Sequence, residues 1–184
     1  MIIKRKLFLL FLLLCFFQQS AEAGWLKLNH RRSGEENAQL VIKKVKDMSA
    51  EYNKLFDEAV AWAVFPSVGK AGFGLGGAAG NGRVYRKGKF IGTSTLSQIA
   101  VGFQFGGQVY SEIIFFQNDS VLEKFKQGKT ELGANASAVI ANSGVAGSVG
   151  FKDGTVVLII PKGGLMYEAT VSGQKFTYKA AKSK

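Results

Sequence analysis

A glycine-rich stretch at residues 70–82, KAGFGLGGAAGNG, contains the spacing G-x-G-x-x-G at Gly72, Gly74 and Gly77. In nucleotide-binding folds this spacing forms a loop that leads into a helix, whose N-terminal N–H groups hold a phosphate. No helix pattern follows here, because Asn81-Gly82 soon afterwards has the composition of a tight hairpin turn. We therefore predict that these glycines bind neither a nucleotide nor any other cofactor.

A second pattern that could support chemistry is Ser67-Val68-Gly69-Lys70, which matches the S-x-x-K pattern of penicillin-binding enzymes. That chemistry needs the serine and the lysine one helical turn apart. Pro66 and Gly69 disfavour a helix at this point, and no S-D-N or K-T-G sequence follows. A serine hydrolase that uses Ser67 and Lys70 is the least favoured hypothesis, and labelling with a fluorescent β-lactam would revive it.

Histidine and cysteine, which build many catalytic and metal sites, occur once each. His30 lies near the N-terminus, and Cys15 lies in an apolar run before it. The carboxylates are scattered and show no spacing typical of an acid–base pair or a metal cluster. The sequence therefore predicts no catalytic residues, no metal ion and no enzyme activity.

Residues 1–23 have the pattern of a secretory signal peptide. A basic start, MIIKRK, precedes the apolar run Leu7–Phe17, and the small residues Ala21 and Ala23 precede a cleavage site at Gly24. The run is shorter than the roughly 20 residues of a membrane-spanning helix. Cys15 is not preceded by the small residue of a lipoprotein signal. We expect an exported protein without a lipid anchor, periplasmic or peripheral to the outer membrane.

The chain is strongly basic. Its formal net charge is +11, and loss of Lys4, Arg5, Lys6 and Glu22 with the signal peptide removes three positive charges and one negative charge, which leaves +9. A basic protein is attracted to anionic lipid, anionic polysaccharide or nucleic acid. Because an exported chain rarely meets nucleic acid, the expected partner is an anionic lipid or membrane surface, and nucleic acid is not expected.

Helical periodicity begins after Ser33 and Glu36, which form a capping-box pattern, S-x-x-E. Apolar residues then recur alternately every three and four positions, which predicts one amphipathic helix from about residue 35 to about residue 57. Its buried face comprises Ala38, Val41, Val45, Met48, Tyr52 and Leu55. A short second helix is predicted at Ser120–Gln127.

From Ala59 onward the period is two, with frequent glycine and with aromatic or β-branched residues, as is typical of strands. Strands are predicted at residues 59–65, 72–80, 83–87, 99–116, 136–141, 147–151, 155–160, 165–171 and 174–179. Tight turns are predicted at Asn81-Gly82, Asp153-Gly154 and Ser172-Gly173. The run Val156–Ile160 is apolar without alternation, so that strand should be covered on both faces.

Together these elements predict an α+β fold, in which the N-terminal amphipathic helix packs on a curved, largely antiparallel, glycine-rich β-sheet or barrel-like sheet. Residues 35–184 would form one domain, preceded by a flexible basic segment at residues 24–34. Gly72, Gly74 and Gly76 would share one strand face, where bare backbone lets another element approach closely. These glycines are interpreted as architectural.

Two sets of residues are candidates for lipid contact. The first lies near the N-terminus and comprises Trp25, Lys27, Arg31 and Arg32, since tryptophan favours the headgroup layer and basic residues attract anionic lipid. The second flanks the predicted hairpin turn and comprises Arg83, Arg86, Lys87 and Lys89. Arg83, Tyr85 and Lys87 alternate onto one strand face, which predicts a compact positive edge beside the turn. An ordinary solvated hairpin has the same pattern.

Two ordered blocks of residues resemble the SYLF domain family. The first block comprises Phe65-Pro66, Lys70-Ala71-Gly72, Gly76-Gly77, Gly80 and Gly82. The second block is VGFQFGGQ at residues 101–108, with Gly102, Gln104, Gly106 and Gly107. The resemblance extends from about residue 35 to about residue 178, and it implies that these residues are a signature of the fold and not of a nucleotide site.

The resemblance implies a non-enzymatic domain that binds anionic lipid headgroups and, in some eukaryotic members, actin. Bacterial members are typically exported, and an exported chain would not meet cytosolic actin. The favoured hypothesis is therefore a lipid-binding protein of the cell envelope, with its oligomeric state open. The alternative is a small outer-membrane β-barrel or a structural envelope protein, which carbonate extraction would separate because a barrel stays in the membrane.

Overall fold

The computed structural model describes residues 33–130, 138–141, 149–164 and 173–182. The chain divides into two units, Met1–Ser33 and Gly34–Lys184, and the second holds the elements below. Its described helices are α1 (Gly34–Met48), α2 (Ala50–Glu58) and α3 (Asp119–Lys126). Its described strands are β1 (Ala61–Arg86), β2 (Lys89–Phe116), β3 (Ala138–Ile140), β4 (Thr155–Gly164) and β5 (Gln174–Ala180).

The single N-terminal helix predicted from the sequence is two helices, α1 and α2. Ser49 separates them, because its backbone is extended and its hydroxyl accepts a hydrogen bond from the Tyr52 N–H at 3.2 Å. A serine that caps a new helix in this way competes with continuation of the preceding one. The predicted buried face is confirmed, except that Met48 is only partly buried.

Strands β1 and β2 form one long antiparallel hairpin, joined by a two-residue turn at Lys87-Gly88. Both turn residues have positive φ, 47° and 78°, as in the type I′ turn, whose twist suits a hairpin. The predicted turn at Asn81-Gly82 is wrong, because both residues lie inside β1 and pair with β2. The three strands predicted between residues 59 and 87 are thus one continuous strand.

Pro66 does not end β1. The register with β2 shifts between Phe65 and Val68, so Pro66 lies in a bulge. In addition, β1 is at the edge of the sheet, where the N–H that proline lacks is not needed for a second ladder.

Strand β2 is central because both of its halves have a second partner. Its C-terminal half pairs antiparallel with β4, and its N-terminal half, Gly92–Gln98, pairs antiparallel with β5. Strand β3 adds to β4 in the parallel direction, which gives the order β1-β2-β4-β3. The prediction of an α+β fold with a largely antiparallel sheet is confirmed, and the sheet formed by the described residues is open.

The other local predictions have mixed outcomes. The turn at Asp153-Gly154 is confirmed, since both residues have positive φ and Lys152 and Thr155 exchange two backbone hydrogen bonds of 3.0 Å. The strand predicted at 147–151 is wrong for its described part, because residues 149–151 are not in a strand. The strand predicted at 165–171 lies outside the described residues. None of the helices in the described ranges is long and apolar enough to cross a membrane.

Each face of the sheet has its own hydrophobic core. Helices α1 and α2 cover one face, where the Phe56 ring meets Trp62 and Phe115 edge-on at centroid distances of 5.2 and 4.8 Å. The other core lies between the two halves of the β1–β2 hairpin, and α3 adds Leu122 and Phe125 to it. Burial of each such side chain stabilises the fold by about 1.5–3 kcal/mol.

Strand β4 is covered on both faces, as predicted. Val156, Leu158 and Ile160 face the helices, and Val157 and Ile159 face the second core.

The hairpin folds back on itself closely enough to require glycine. A Cβ atom at Gly82 would lie 2.7 Å from the Phe65 ring and 2.9 Å from the Val64 carbonyl oxygen. At Gly80 it would lie 2.8 Å from the Val68 side chain. Close approach of one half of β1 to the other therefore depends on bare backbone at both positions.

Candidate functional site

The glycine-rich stretch at residues 70–82 lies entirely within β1, so the helix that a phosphate-binding loop needs is not formed. Gly72 is opposite Gly106, and the register with β2 shifts between Phe73 and Leu75. The second block of the resemblance, with Gly102, Gln104 and Gly107, lies on β2 across this shift. Gly76 and Gly77 resume the pairing, opposite Ala100 and Ile99.

The serine hydrolase hypothesis is not supported by the backbone around Ser67 and Lys70. Both lie in β1 and not on a helix, so they are not one helical turn apart. Ser67 is exposed beside the bulge, whereas Lys70 is buried. Strand side chains three positions apart point to opposite faces, so the S-x-x-K spacing does not bring the two groups together.

The residues predicted to form one positive edge are divided by the structure. Arg86 pairs with Asp119 at the start of α3, with 2.7 Å between nitrogen and oxygen. Arg83 is half-buried, and its Nη1 donates to the Gly82 carbonyl oxygen at 3.2 Å. Lys87 and Lys89 are exposed, and no carboxylate of the described residues pairs with either. We call residues 86–89 the basic turn.

The positive edge predicted on the strand face of Arg83, Tyr85 and Lys87 is not an open surface at its first two members, because α1 covers it there. A Cβ at Gly34, the first residue of α1, would collide with the Arg83 guanidinium. Tyr85 is buried in the helix-covered core and stacks on Trp62, with 6.4 Å between ring centroids.

A second cationic surface lies on the sheet beside the bulge in β1. A hollow of about 530 Å³ opens there between β1, β2 and β4. It is lined by Gly69, Lys70, Ala71, Gly107, Gln108, Val109, Lys162 and Gly163, and we call it the lysine hollow. Three of these residues are glycines and none is acidic, so its surface combines bare backbone with positive charge.

Lys162 is held at the rim of the lysine hollow by the bulge in β1. Its ammonium group donates a hydrogen bond to the Pro66 carbonyl oxygen, which also accepts one from the Ser111 hydroxyl at 2.8 Å. Burial of the ammonium lowers the pKa of Lys162, and the charge of nearby Lys44 lowers it further. An ammonium has three donors, so this anchor leaves Lys162 able to bind an anion.

Lys44 lines a shallow groove on α1. The groove measures about 450 Å³ and is lined by Leu40, Lys43, Lys44, Asp47 and Met48. Lys43 pairs with Asp47 at 3.0 Å, while no described carboxylate pairs with Lys44. Leu40 is 47% exposed, so an apolar side chain lies beside the free ammonium.

The second core contains a buried carboxyl group, Glu112. Its Oε2 accepts a hydrogen bond from Gln174 Nε2 at 3.0 Å, and its Oε1 has no partner in the described part of the chain. Burial raises the pKa of Glu112 to about 8, and the hydrogen bond from Gln174 opposes this shift. Burial, together with Glu112, also raises the pKa of Tyr110. Glu112 is therefore mostly protonated at pH 7, which keeps charge out of the core.

The N-terminal candidates Trp25, Lys27, Arg31 and Arg32 lie outside the described residues, so their contact with lipid stays a prediction. Across the described ranges, no group of three or more histidine, cysteine, aspartate or glutamate residues could hold a metal ion.

The lysine hollow was not predicted from the sequence. Lys44 and Lys162 are distant in the chain, and each alone has the pattern of a solvated lysine. The alternation of Leu158 and Ile160 does not extend to Lys162, because the register of β4 with β2 shifts between Pro161 and Gly163.

Comparison with known proteins gives one family. Residues 97–183 match the family model described as Ysc84, Las17-binding protein actin regulator. The match begins within β2, extends past β5 and contains the second motif block, whereas the first block precedes it. The comparison with curated proteins gives no match. Over residues 97–183 the chain is therefore similar to the Ysc84, or SYLF, family, which confirms the resemblance for the second motif block.

Proposed function

We propose that the protein is an exported, non-enzymatic module that binds anionic lipid surfaces in the cell envelope. The family match supports a lipid-binding or actin-regulating role. The formal net charge of +11 favours an anionic partner.

The observation that carries this proposal is the basic turn. Lys87 and Lys89 project at the tip of the β1–β2 hairpin, both exposed and both without a carboxylate partner among the described residues. Cations left unpaired at a protruding tip can approach a charged surface without breaking an existing ion pair. Arg86 would first have to leave Asp119, so it contributes less.

The choice of lipid over actin depends on the N-terminal segment. The family is described as an actin regulator. The pattern of residues 1–23 is that of a signal peptide, and an exported chain does not meet cytosolic actin. Intact-mass measurement of the secreted protein tests this step: a chain that begins at Gly24 supports export, and a retained N-terminus contradicts it.

Vesicle flotation tests the lipid step. Protein comprising residues 24–184 should float with vesicles in proportion to their phosphatidylglycerol content and remain at the bottom with pure phosphatidylcholine. Reversing both lysines of the basic turn, Lys87→Glu with Lys89→Glu, should weaken binding at least about tenfold, because each basic residue near an anionic surface contributes on the order of 1 kcal/mol. Added salt should reproduce the loss.

A matched control separates the basic turn from the overall charge. Lys124 and Lys129 are also exposed, and reversal of both changes the net charge equally. The control variant should keep most of its binding. If it loses as much as the turn variant, binding follows net charge and the basic turn is not the contact.

A further inference from the structure

The lysine hollow and the groove on α1 each present an ammonium group. Lys162 lines the hollow and Lys44 lines the groove, and they are close enough for the charge of Lys44 to lower the pKa of Lys162. Two like charges held near each other repel, and an anion placed between them removes that repulsion. None of the described residues that line the hollow is acidic.

The glycines of the hollow leave room for a ligand. No atom lies within 4 Å of a Cβ built at Gly69 or at Gly163. Glycine inside a strand is unfavourable, and neither position is required by a neighbouring group. The result is an accessible stretch of backbone directly beside Lys162.

Apolar side chains flank the two lysines. Leu40 is 47% exposed beside Lys44, and Val109 is 42% exposed in the hollow beside Lys162. A soluble anion makes no use of exposed leucine and valine. A membrane offers both a phosphate layer for the ammonium groups and an apolar layer for these side chains.

We propose that the lysine hollow binds the phosphate of an anionic phospholipid headgroup, with Lys44 and Lys162 as its cationic partners and Leu40 and Val109 in contact with the membrane interface. The inference rests on the proposed function and adds a discrete headgroup site to the basic turn.

The first test removes the two positive charges without reversing them. The double variant Lys44→Gln, Lys162→Gln should bind vesicles of 30% phosphatidylglycerol in phosphatidylcholine at least about tenfold more weakly than wild type. The matched variant Lys124→Gln, Lys129→Gln has the same net charge and should bind about as well as wild type. Circular dichroism and thermal unfolding of both variants verify that the fold is intact.

The second test closes the hollow and leaves every charge in place. Gly163→Val adds a side chain where the structure has open space, so the fold should persist while binding to the same vesicles falls several-fold. Gly150 also has no atom within 4 Å of a built Cβ and lies outside the lining of the hollow, so Gly150→Val is the matched control and should bind normally.

The outcomes separate this inference from the proposed function. Wild type that does not bind phosphatidylglycerol vesicles contradicts both. Wild type that binds, with the Lys44/Lys162 and Gly163 variants equal to it, contradicts only the headgroup site. Calorimetry with glycerol 3-phosphate and inorganic phosphate should give dissociation constants weaker than about 1 mM. If either compound binds tightly and Gly163→Val abolishes that binding, the hollow is a site for a soluble phosphate, and the proposal of a membrane phospholipid is wrong.

Discussion

The interior of the folded hairpin and the lysine hollow both combine glycine with an ionisable group, but the glycines of the interior are closely packed and two of those in the hollow face open space. In the interior, Gly82 is needed because Phe65 and the Val64 carbonyl fill the space that a side chain would take. In the hollow, Gly163 faces open space. The interior keeps Glu112 uncharged by raising its pKa, whereas the hollow keeps Lys162 accessible at its rim. Glycine therefore permits close contact in one region and leaves a surface open in the other.

The largest expected effect comes from filling the interior. Gly82→Val should lower the free energy of unfolding by about 3 kcal/mol, because its Cβ atom would lie too close to the Phe65 ring and the Val64 carbonyl oxygen. Urea denaturation measures this loss. Gly69→Val, which places the same side chain in open space on the same strand, is the control and should cost far less. Equal losses of stability in the two variants would mean that Gly82 is no more closely packed than Gly69.

The second effect is the pH dependence of stability caused by Glu112. Its pKa is raised from 4.5 to about 8 in the folded state, so its stabilising contribution is complete below about pH 4.5 and is lost as pH rises toward 8. The slope should approach 1.4 kcal/mol per pH unit at most. Glu112→Gln keeps an oxygen for Gln174 Nε2 and cannot ionise, so it should flatten this part of the profile. A profile of the same slope in this variant would show that another group is responsible.

The smallest effect concerns the open glycines. Gly69→Ala should raise the free energy of unfolding by about 0.5 kcal/mol, since it restricts the unfolded chain and meets no neighbouring atom. Gly80→Ala should lower the free energy of unfolding, because its Cβ would lie too close to the Val68 side chain. Thermal unfolding of the two variants measures whether each is more or less stable than wild type. If both are less stable, the open position at Gly69 does not differ from the crowded position at Gly80.

The sequence predicted much of the fold because alternation and burial carry strong signals. Helix α3, the two-sided burial of β4 and the turn at Asp153-Gly154 follow from local pattern. The errors arise where tertiary structure overrides a local signal. The strand predicted at residues 59–65 continues through Pro66, which lies in an edge-strand bulge, and the pair Asn81-Gly82 has the composition of a turn although its glycine permits close contact within β1.

The turn at Lys87-Gly88 was missed for a related reason. Lysine rarely adopts positive φ, so Lys87 gave no turn signal, yet its φ is 47°. The candidate site was predictable only in part. Basic residues near the hairpin tip are visible in the sequence, but only folding brings α1 against Arg83 and Asp119 to Arg86. The meeting of Lys44 with Lys162 requires knowing how α1 crosses the sheet.

The two-residue turn at Lys87-Gly88 also determines the order in which the domain can assemble. The β1–β2 pairs can form one after another outward from this turn. The hairpin can therefore grow from residues that are close in sequence before distant segments pack on it. Strands β4 and β5 can then dock only on opposite halves of a β2 that already exists. Both halves of the second core come from the same hairpin, so neither half can detach without exposing the apolar surface of the other. We therefore expect hydrogen exchange to show this core opening as one cooperative unit, with no separately unfolding lobe.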